Sequence, residues 1–185
     1  MNGDLVFRDE IINGKVYSRS PAPTNHNMIS GNIYRIFRLY LKGKACVPFG
    51  DGEAVILSPE NRFIPDGMVV CDRNKIRADG IHGAPDLVIE VLSPSTAKND
   101  RRHKMEVYAE YGVREYWIVD PANKSVEQYL QEDGRLVLYA VYAIHPDYVL
   151  NMMSEAEKTA VVTEFRCSLF DDLIIRLEDI FESVI

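Results

Sequence analysis

The sequence predicts a mixed α/β (α+β) fold, in which a central sheet is flanked by helices and preceded by an N-terminal hairpin. Apolar residues recur with helical spacing in the segment 26–41, and start and stop signals delimit a second helix over 97–111; short runs rich in β-branched and aromatic residues separate the two. The runs DLVIEVL and EYWIV lie on either side of the second helix, which is the order of a crossover between parallel strands. The 185 residues fit a single domain over 1–185.

Turn and capping signals define the N-terminal hairpin and the first helix. The dipeptide Asn13-Gly14, between two short apolar runs, is typical of a two-residue hairpin turn. After a pair of prolines, Thr24 or Asn25 is expected to cap a helix over 26–41, which Gly43 ends.

Three strands are expected next, at 54–57, 63–71 and 86–92, with a polar connector over 72–83. The strand at 86–92 consists almost entirely of β-branched and aliphatic residues. It is therefore predicted to be central in the sheet and buried on both faces.

The second half of the chain is predicted to add a helix, a strand, a hairpin and two short helical pieces. The hairpin prediction depends on the turn signal Asp133-Gly134. The spacing of Ser154 and Glu157 predicts a capping box at the start of a short helix. The expected elements are a helix over 97–111, strands at 115–119, 126–130 and 136–141, and a last helical turn in the segment LEDIF.

Cysteine spacing, hydropathy and net charge limit the classes of protein to which the chain belongs. Cys46, Cys71 and Cys167 are far apart and lack the spacing of a zinc site, so they are expected to be buried free thiols of a reducing compartment. No stretch is typical of a signal peptide or a membrane span, which predicts a cytoplasmic protein without a membrane partner. The net charge of −7 excludes a protein that coats nucleic acid through bulk positive charge.

Glu90 is the most unusual residue of the predicted central strand. It stands within the apolar run VIEVL, where an unpaired carboxylate is costly to bury. Such a group is retained where it is paired, neutralised or bound to a metal. Asp86 shares its face but lies roughly 13 Å away along a strand that rises about 3.3 Å per residue. Glu90 therefore needs another partner.

Asp66 is the expected partner of Glu90. It lies at the start of the neighbouring strand, directly after Pro65, a residue that favours a strand start or an edge. Two carboxylates from adjacent strands, with a backbone carbonyl and water, form a hard oxygen site that suits Mg²⁺ or Mn²⁺ rather than zinc. The sequence therefore predicts that Asp66 and Glu90 bind a metal.

The helix after the central strand supplies the positive charge of this candidate site. Asp100, Lys104 and Tyr108 recur at every fourth residue and share one helix face. A metal, a lysine and a basic helix around two carboxylates are typical of a phosphodiester site, where Lys104 orients water or stabilises developing charge. The candidate nucleic-acid-binding residues of this basic segment are Lys98, Arg101 and Arg102.

Each of these residues also has a structural interpretation. Asp100 and Lys104 have the spacing of a surface ion pair, and the two arginines that of a solvated helix face. Glu90 is equally explained by a buried ion pair, Asp86 by capping of the loop before its strand, and His26 by a structural role. The combination of two acids and a lysine is more specific than any of its members.

The segment GAPDLVIEVLSPSTAKNDRRHKMEVYAEYGVREYWIVDP resembles the signature of the Uma-two family of predicted restriction endonucleases, within the PD-(D/E)xK nuclease superfamily. The likeness extends from NGKVYSRSPAPTNHNMISGNIYRIF through FIPDGMVVCDRNKI to LEDIF, nearly the whole chain. It implies a restriction-endonuclease-like fold, with a mixed sheet flanked by helices.

By position, the resemblance implies that Asp66 is the first acid of the motif and Glu90 the second. The lysine of the superfamily usually lies two residues after the second acid, where this sequence has Leu92. Lys104, on the next helix, matches the family lysine instead, and His26 matches the family's histidine in the first helix.

The sequence departs from the family pattern at two further acids. Asn25 stands where an acid usually precedes the histidine. An aspartate on the strand before Asp66 is replaced near Ala54, with Glu53 adjacent.

The first functional hypothesis is a Mg²⁺- or Mn²⁺-dependent DNA endonuclease with Asp66, Glu90 and Lys104 as catalytic residues. DNA is the expected partner, and a homodimer is expected because two sites related by a two-fold axis would cut both strands. The alternative is a non-catalytic nucleic-acid or protein interaction module that retains the fold. The residues expected to support the site are His26, Asp86 and Asp100.

Overall fold

The computed structural model describes residues 9–94 and 96–185, and it contains the N-terminal hairpin that the turn signal predicts. β1 (Asp9–Ile12) pairs antiparallel with β2 (Lys15–Ser18). The turn residues Asn13 and Gly14 have φ of 50° and 75°. A turn with positive φ at both positions matches the twist of the two strands, and Asn-Gly adopts it readily.

α1 (Thr24–Tyr40) confirms the predicted first helix but not its predicted cap. Pro23 occupies the N-cap position, and because it has no hydrogen-bonding side chain, no side chain caps the helix. Asn25 lies within the helix, and its side chain bonds to the backbone of Ile185. With 17 residues, α1 is long for this protein. In the part of the chain that the structure describes, no helix is long and apolar enough to cross a membrane.

Strands dominate the segments before and after a second helical region. Between α1 and that region lie β3 (Val47–Gly50), β4 (Val55–Ser58), β5 (Asn61–Phe63), β6 (Gly67–Val70), β7 (Ile76–Arg77), β8 (Gly80–His82) and β9 (Leu87–Val91). The helical region is composed of α2 (Ala97–Asn99), a π-helical turn (Asp100–Lys104) and α3 (Met105–Glu110). It is followed by β10 (Glu115–Asp120), β11 (Ser125–Glu132), β12 (Arg135–Ala143), α4 (Asp147–Leu150), α5 (Glu155–Ala160), β13 (Glu164–Arg166), β14 (Ile174–Arg176) and α6 (Leu177–Ile180).

The described strands form two mixed six-stranded sheets and a small two-stranded one. The first sheet has the order β2-β1-β5-β4-β8-β7, and the second has the order β12-β11-β10-β9-β6-β3. In the second sheet β9 and β10 run parallel and are joined through the helical region, which confirms the predicted crossover. β9 lies in the interior of this sheet and all five of its residues are buried, as predicted.

Two apolar layers cover the two faces of the second sheet. In one layer α1 packs on the sheet, with the rings of Phe37 and Trp117 5.6 Å apart. In the other layer, the first sheet and α3 pack on the second sheet. The rings of Phe63, in β5, and Tyr108, in α3, lie 5.0 Å apart there. Because side chains of a strand alternate between faces, Glu90 projects into this second layer.

The predicted strand at 63–71 is wrong as a single element, and the predicted connector at 72–83 contains two strands. β5 belongs to the first sheet and β6 to the second, so the chain changes sheets between Phe63 and Gly67. Pro65, which has no N–H to donate to a ladder, lies in this break. β7 and β8 have two and three residues, too few for alternation of polar and apolar residues to be recognised.

Two local predictions in the second half are confirmed. Asp133 and Gly134 have φ of 48° and 78° and connect β11 to β12 as a hairpin. At the start of α5, the Ser154 side chain accepts from the Glu157 N–H while the Glu157 carboxylate accepts from the Ser154 N–H, which is the predicted capping box.

The expectation of three free thiols is wrong for two of them. Cys46 and Cys71 form a disulfide, with their Cα atoms 3.9 Å apart, and only Cys167 among the described cysteines is free and buried. Val47 pairs with Val70 in the antiparallel β3–β6 ladder, so the cysteines one position outward stand opposite each other. Their separation of 25 residues in the chain hid this register. The argument from free thiols to a reducing compartment therefore loses its basis.

Candidate active site

Asp66 and Glu90 stand opposite each other at the junction of β6 and β9. Gly67 pairs with Ile89 in antiparallel register, so the residue before the glycine is aligned with the residue after the isoleucine. Side chains that are directly opposite in such a pair share a face, with Cβ atoms about 4.5–5.5 Å apart. Both carboxylates are buried. The structure therefore brings together the two acids that the sequence paired.

Both oxygens of Asp66 have partners. Oδ2 accepts a hydrogen bond from the Val91 N–H at 2.7 Å and lies 3.1 Å from His26 Nε2, while Oδ1 accepts from Arg19 Nη2 at 2.9 Å. Burial acts to raise the pKa of Asp66, but the bonds from His26 and Val91 and the charge of Arg19 lower it below its ordinary value. The carboxylate is therefore ionised, and positive groups surround it.

Lys104 lies at the centre of a group of three carboxylates. Its Nζ lies 3.2 Å from Glu90 Oε1, 3.1 Å from Asp100 Oδ1 and 2.9 Å from Glu10 Oε1. All four side chains are buried. The expected surface ion pair of Asp100 and Lys104 thus exists but lies in the interior, and the expected buried ion pair of Glu90 has Lys104 as its cation.

The helical region has a π-helical turn at the point where it carries the lysine. Asp100 and Lys104 are the first and last residues of the π-helical turn, a local widening of the helix that is frequent at functional sites. The Tyr116 hydroxyl donates to the Asp100 carbonyl at 2.9 Å, which holds the turn on the sheet. Tyr108 follows on the same face, buried, as the spacing predicts.

The ionisation of this cluster is set by burial and by an excess of carboxylates. Burial raises the pKa of Glu90 well above its ordinary value despite the nearby lysine, and it raises the pKa of Asp100 as well. Burial acts to lower the pKa of Lys104, but the charges of Glu90, Glu10 and Asp100 outweigh it, so the pKa lies well above its ordinary value. The lysine is charged, and it is shared by more carboxylates than it can neutralise.

The donor set fits a hard divalent cation better than zinc. Asp66 and Glu90 supply carboxylate oxygens from opposed positions on adjacent strands, and a bound cation would offset the mutual repulsion of the carboxylates around Lys104. In residues 9–94 and 96–185, no three histidine, cysteine or carboxylate side chains are arranged as ligands of one metal ion. An ion held by one or two carboxylates that keeps several waters, as Mg²⁺ does, is compatible with this arrangement.

A cleft of about 300 Å³ opens beside the cluster. Glu10, Arg19 and His26 line it together with Ser93 and Thr96. Glu90 and Lys104 are not among its lining residues, so they lie beneath this first layer. A substrate in the cleft would meet Arg19 and His26 before it met the buried carboxylates.

Sequence reasoning missed Glu10 and Arg19. Glu10 lies on β1, the first strand of the hairpin. Its carboxylate accepts a hydrogen bond from the Ile64 N–H at 2.8 Å. A glutamate at the inward position, two residues before the buried Ile12, is the signal that was available. Arg19 follows β2 in a proline-rich segment, and no local pattern marks it.

Some predicted site residues lie elsewhere. The structure does not bring Asp86 to the cluster, since its carboxylate accepts from the Cys71 N–H at 2.7 Å, beside the end of β9 opposite Glu90. Its alternative role, capping of the loop before the strand, fits this contact. His26 and Asp100, by contrast, are both in contact with the cluster.

The basic segment is exposed, but its three cations differ in their contacts. Arg101 donates to both carboxylate oxygens of Glu127, at 2.6 Å each. Lys98 and Arg102 are exposed on the same helical region. The charge available for a nucleic acid is therefore concentrated on these two.

The structure also locates Asn25 and Glu53, the two residues at which the sequence departs from the family pattern. Asn25 is bonded to Ile185 and does not approach the carboxylates. Glu53 is half-buried in the loop before β4. Asp51, in the same loop, is the acid that reaches the site, because it binds Arg19 at 2.6 Å.

Residues 7–156 match the model of a protein family, Uma2, described as "Putative restriction endonuclease". Two uncharacterized proteins of Synechocystis sp. (strain ATCC 27184 / PCC 6803 / Kazusa) are similar in sequence. The first, slr1290, is 30% identical over 128 residues, which cover 68% of this chain and 67% of that protein. The second, sll1609, is 29% identical over 132 residues, which cover 69% and 75%.

A crystal structure of a "putative nuclease belonging to DUF820" from Anabaena variabilis ATCC 29413 has a similar fold. The two structures superpose with a TM-score of 0.69 over 94% of this chain and 89% of the other, at 19% sequence identity. At that identity the likeness shows the fold alone. It confirms the fold class that the sequence predicted.

Proposed function

Because the chain belongs to the Uma2 family, whose model is described as "Putative restriction endonuclease", we propose that it is a nuclease. More closely, we propose a Mg²⁺- or Mn²⁺-dependent hydrolase of phosphodiester bonds in DNA. Asp66 and Glu90 are its metal ligands in this proposal, and Lys104 is the third catalytic residue.

One observation supports this assignment most strongly. Two carboxylates on adjacent strands and a lysine from the following helix converge in the interior, with Glu90 and Lys104 3.2 Å apart. They contact three residues that line a cleft: Lys104 contacts Glu10, and Asp66 contacts Arg19 and His26. A purely apolar layer would stabilise the sheet at least as well, since buried ion pairs gain little net stability. The retained charges are therefore better explained by chemistry than by packing.

The residues of the chain divide the work of hydrolysis in this proposal. A divalent cation, when bound, would lower the pKa of a water molecule and offset charge on the phosphate. Lys104 keeps its proton and stabilises the charge that develops on the phosphate. His26 holds Asp66 in place through the 3.1 Å contact, and Asp100 orients Lys104 from one helical turn away.

The substrate proposed for this site is a nucleic acid bound across the cleft. Lys98 and Arg102 are exposed on the helical region that carries Lys104, so their charges are available to phosphates of a bound nucleic acid. Contacts of this kind bind any sequence and make binding dependent on salt.

A homodimer is part of the proposal, because cutting both strands of a duplex requires two cleavage events and two-fold symmetry supplies two sites. β12 is an outer strand of the second sheet in the described part of the chain, with Tyr139 and Val141 66% and 57% exposed. An outer strand of this length offers unpaired backbone groups to a second copy. Sedimentation equilibrium tests the dimer, and Val141→Lys is expected to yield monomers.

The alternative is a non-catalytic interaction module, and one observation favours it. Lys104 already touches three carboxylates, and each oxygen of Asp66 already has a partner. The carboxylates of the cluster thus have charged or hydrogen-bonding partners from the chain itself. The two functions differ in their dependence on a divalent cation.

Cleavage assays with purified protein separate the two. Supercoiled plasmid, single-stranded DNA and single-stranded RNA are incubated with Mg²⁺, Mn²⁺ or EDTA, beside Glu90→Gln and Lys104→Ala. Glu164→Gln, at an exposed position of β13, is the matched control. We expect cleavage that requires metal, is lost in both site variants and is retained in the control. Cleavage that Glu90→Gln leaves unchanged would exclude the site, and binding without cleavage would support the alternative.

A further inference from the structure

Arg19 connects the buried cluster to the cleft. Its Nη1 lies 2.6 Å from Asp51 Oδ1, and its Nη2 lies 2.9 Å from Asp66 Oδ1. The guanidinium side chain is 21% exposed, whereas that of Asp66 is 4% exposed. One nitrogen of the guanidinium thus contacts a surface acid, and the other contacts a proposed metal ligand.

Arg19 also carries the permanent positive charge of the cleft. Among the described lining residues it is the only lysine or arginine, and Glu10 contributes a negative charge nearby. A phosphate that enters this cleft needs a charged donor to replace its water. A guanidinium is well suited, because its planar fork binds two phosphate oxygens at once.

Arg19 cannot keep its contact with Asp66 unchanged when that carboxylate becomes a metal ligand. Two cations on one carboxylate repel each other, and the repulsion is strong in a buried site. The contact with Asp51 does not have this conflict, since the Asp51 side chain is 38% exposed and no proposed ligand. Metal binding at Asp66 therefore weakens this contact and leaves the contact with Asp51 unchanged, so Asp66 is the partner from which a substrate phosphate can draw the guanidinium.

We propose that Arg19 is a substrate-binding residue that pairs with Asp66 in the metal-free protein and binds a phosphate of the substrate once Asp66 is a metal ligand. This inference rests on the proposed function. Asp51 acts as the tether that keeps the guanidinium at the mouth of the cleft throughout the exchange.

The test measures metal binding and DNA binding separately, without cleavage. Mn²⁺ affinity is measured from the electron paramagnetic resonance signal of the free ion. DNA affinity is measured by fluorescence anisotropy of a labelled oligonucleotide, in Ca²⁺ and in EDTA and over a series of salt concentrations. The variants are Arg19→Ala and Arg19→Lys. Arg176→Ala is the matched control, because Arg176 also lies between two carboxylates, Glu164 and Glu178, but on β14.

Arg19→Ala is expected to move the two affinities in opposite directions. Mn²⁺ affinity rises about tenfold, because the competing cation is gone. DNA affinity in Ca²⁺ falls about tenfold, as for one lost charge-assisted hydrogen bond. The salt dependence weakens: the slope of log affinity against log salt concentration decreases in magnitude by about 0.7–0.9. In EDTA, where the arginine stays on Asp66, the variant changes DNA affinity little. Arg19→Lys keeps most of the salt slope, and Arg176→Ala matches the wild type.

A structural role for Arg19 gives a different result. If Arg19→Ala lowers both affinities together, or leaves both unchanged while the wild type binds Mn²⁺, the inference is wrong and the proposed function stands. If the wild type binds no Mn²⁺ at all, the proposed function fails, and the exchange fails with it. If Arg19→Ala does not fold, the Mn²⁺ and DNA affinities of Arg19→Lys, which keeps the charge, are used to distinguish these outcomes.

Discussion

Lys104 Nζ lies 3.2 Å from Glu90 Oε1, although fourteen positions separate the two residues in the chain. The resemblance to the PD-(D/E)xK superfamily led to the expectation of a lysine two residues after the second acid, where this chain has Leu92. The β-α crossover closes this distance, because the helical region folds back over β9 and its π-helical turn directs the lysine inward. A lysine on the helical region therefore reaches the carboxylate of the central strand.

The dependence of the buried carboxylates on Lys104 is testable through stability. In Lys104→Met, Glu10, Glu90 and Asp100 lose their common cation, and the free energy of unfolding is expected to fall by about 3–5 kcal/mol. Glu90→Gln leaves the lysine with two other carboxylates and is expected to cost less, about 1–2 kcal/mol. Urea denaturation in EDTA measures both variants and the double variant, which is expected to be more stable than the sum of the two losses implies.

The control for this prediction is an exposed ion pair. Lys158 lies 2.7 Å from Glu155 on the surface, so Lys158→Met is expected to change stability by no more than about 0.5 kcal/mol. A loss in Lys104→Met no larger than that of Lys158→Met would contradict the buried network.

The disulfide predicts the pattern of thiol reactivity. Under non-reducing conditions we expect one titratable thiol per chain after denaturation and none before it. Cys46 and Cys71 are bonded, and burial raises the pKa of the Cys167 thiol far above its ordinary value. The Cys46→Ser, Cys71→Ser double variant is expected to lose about 3 kcal/mol, as for a closed loop of this length. Three reactive thiols in the unreduced protein would show that the bond does not form.

Glu115 is a buried carboxylate whose expected role is structural. Its oxygens accept from Trp117 Nε1 and Gln128 Nε2, each at 2.6 Å, and from the Ser168 N–H at 2.8 Å. Glu115→Gln turns an amide towards these donors, so a loss of about 2–3 kcal/mol is expected. Thermal unfolding followed by Trp117 fluorescence measures it. Metal-dependent cleavage well below the melting temperature is expected to persist, and its loss would mean that Glu115 also acts in the site.

The exposed cations of the helical region predict how binding depends on salt. Lys98→Ala and Arg102→Ala are each expected to weaken DNA binding irrespective of sequence and to reduce the salt slope by about 0.7–0.9. Arg101→Ala is expected to have a smaller effect, because Glu127 already holds that guanidinium. Anisotropy titrations over a salt series measure all three. Equal effects of Arg101→Ala and Arg102→Ala would contradict the distinction between them.

Local signals predicted the elements that depend on neighbouring residues. The turn at Asn13-Gly14, the capping box at Ser154 and the crossover from β9 to β10 are all as expected. The failures lie where the outcome depends on remote parts of the chain. The break between Phe63 and Gly67 and the pairing of Cys46 with Cys71 both depend on which strands become neighbours in a sheet.

The same division applies to the candidate site. Glu90 was recognisable because a carboxylate in an apolar strand is costly to bury, and Lys104 because it shares a helix face with Asp100. Glu10 carried only the weak signal of an inward position on a hairpin strand. Arg19 carried none, because its importance comes from two acids that are 32 and 47 positions away.

The sequence by itself determined the secondary structure near strong signals, the burial of β9 and the kinds of side chain at the candidate site. Only the tertiary structure decided that one lysine serves three carboxylates, and that Arg19 links Asp66 to the cleft. The physical reason is that the two kinds of interaction act over different separations along the chain. Turn preference and amphipathic periodicity act over a few residues, whereas the electrostatic energy of a buried charge depends on every group that folding brings within a few ångströms of it.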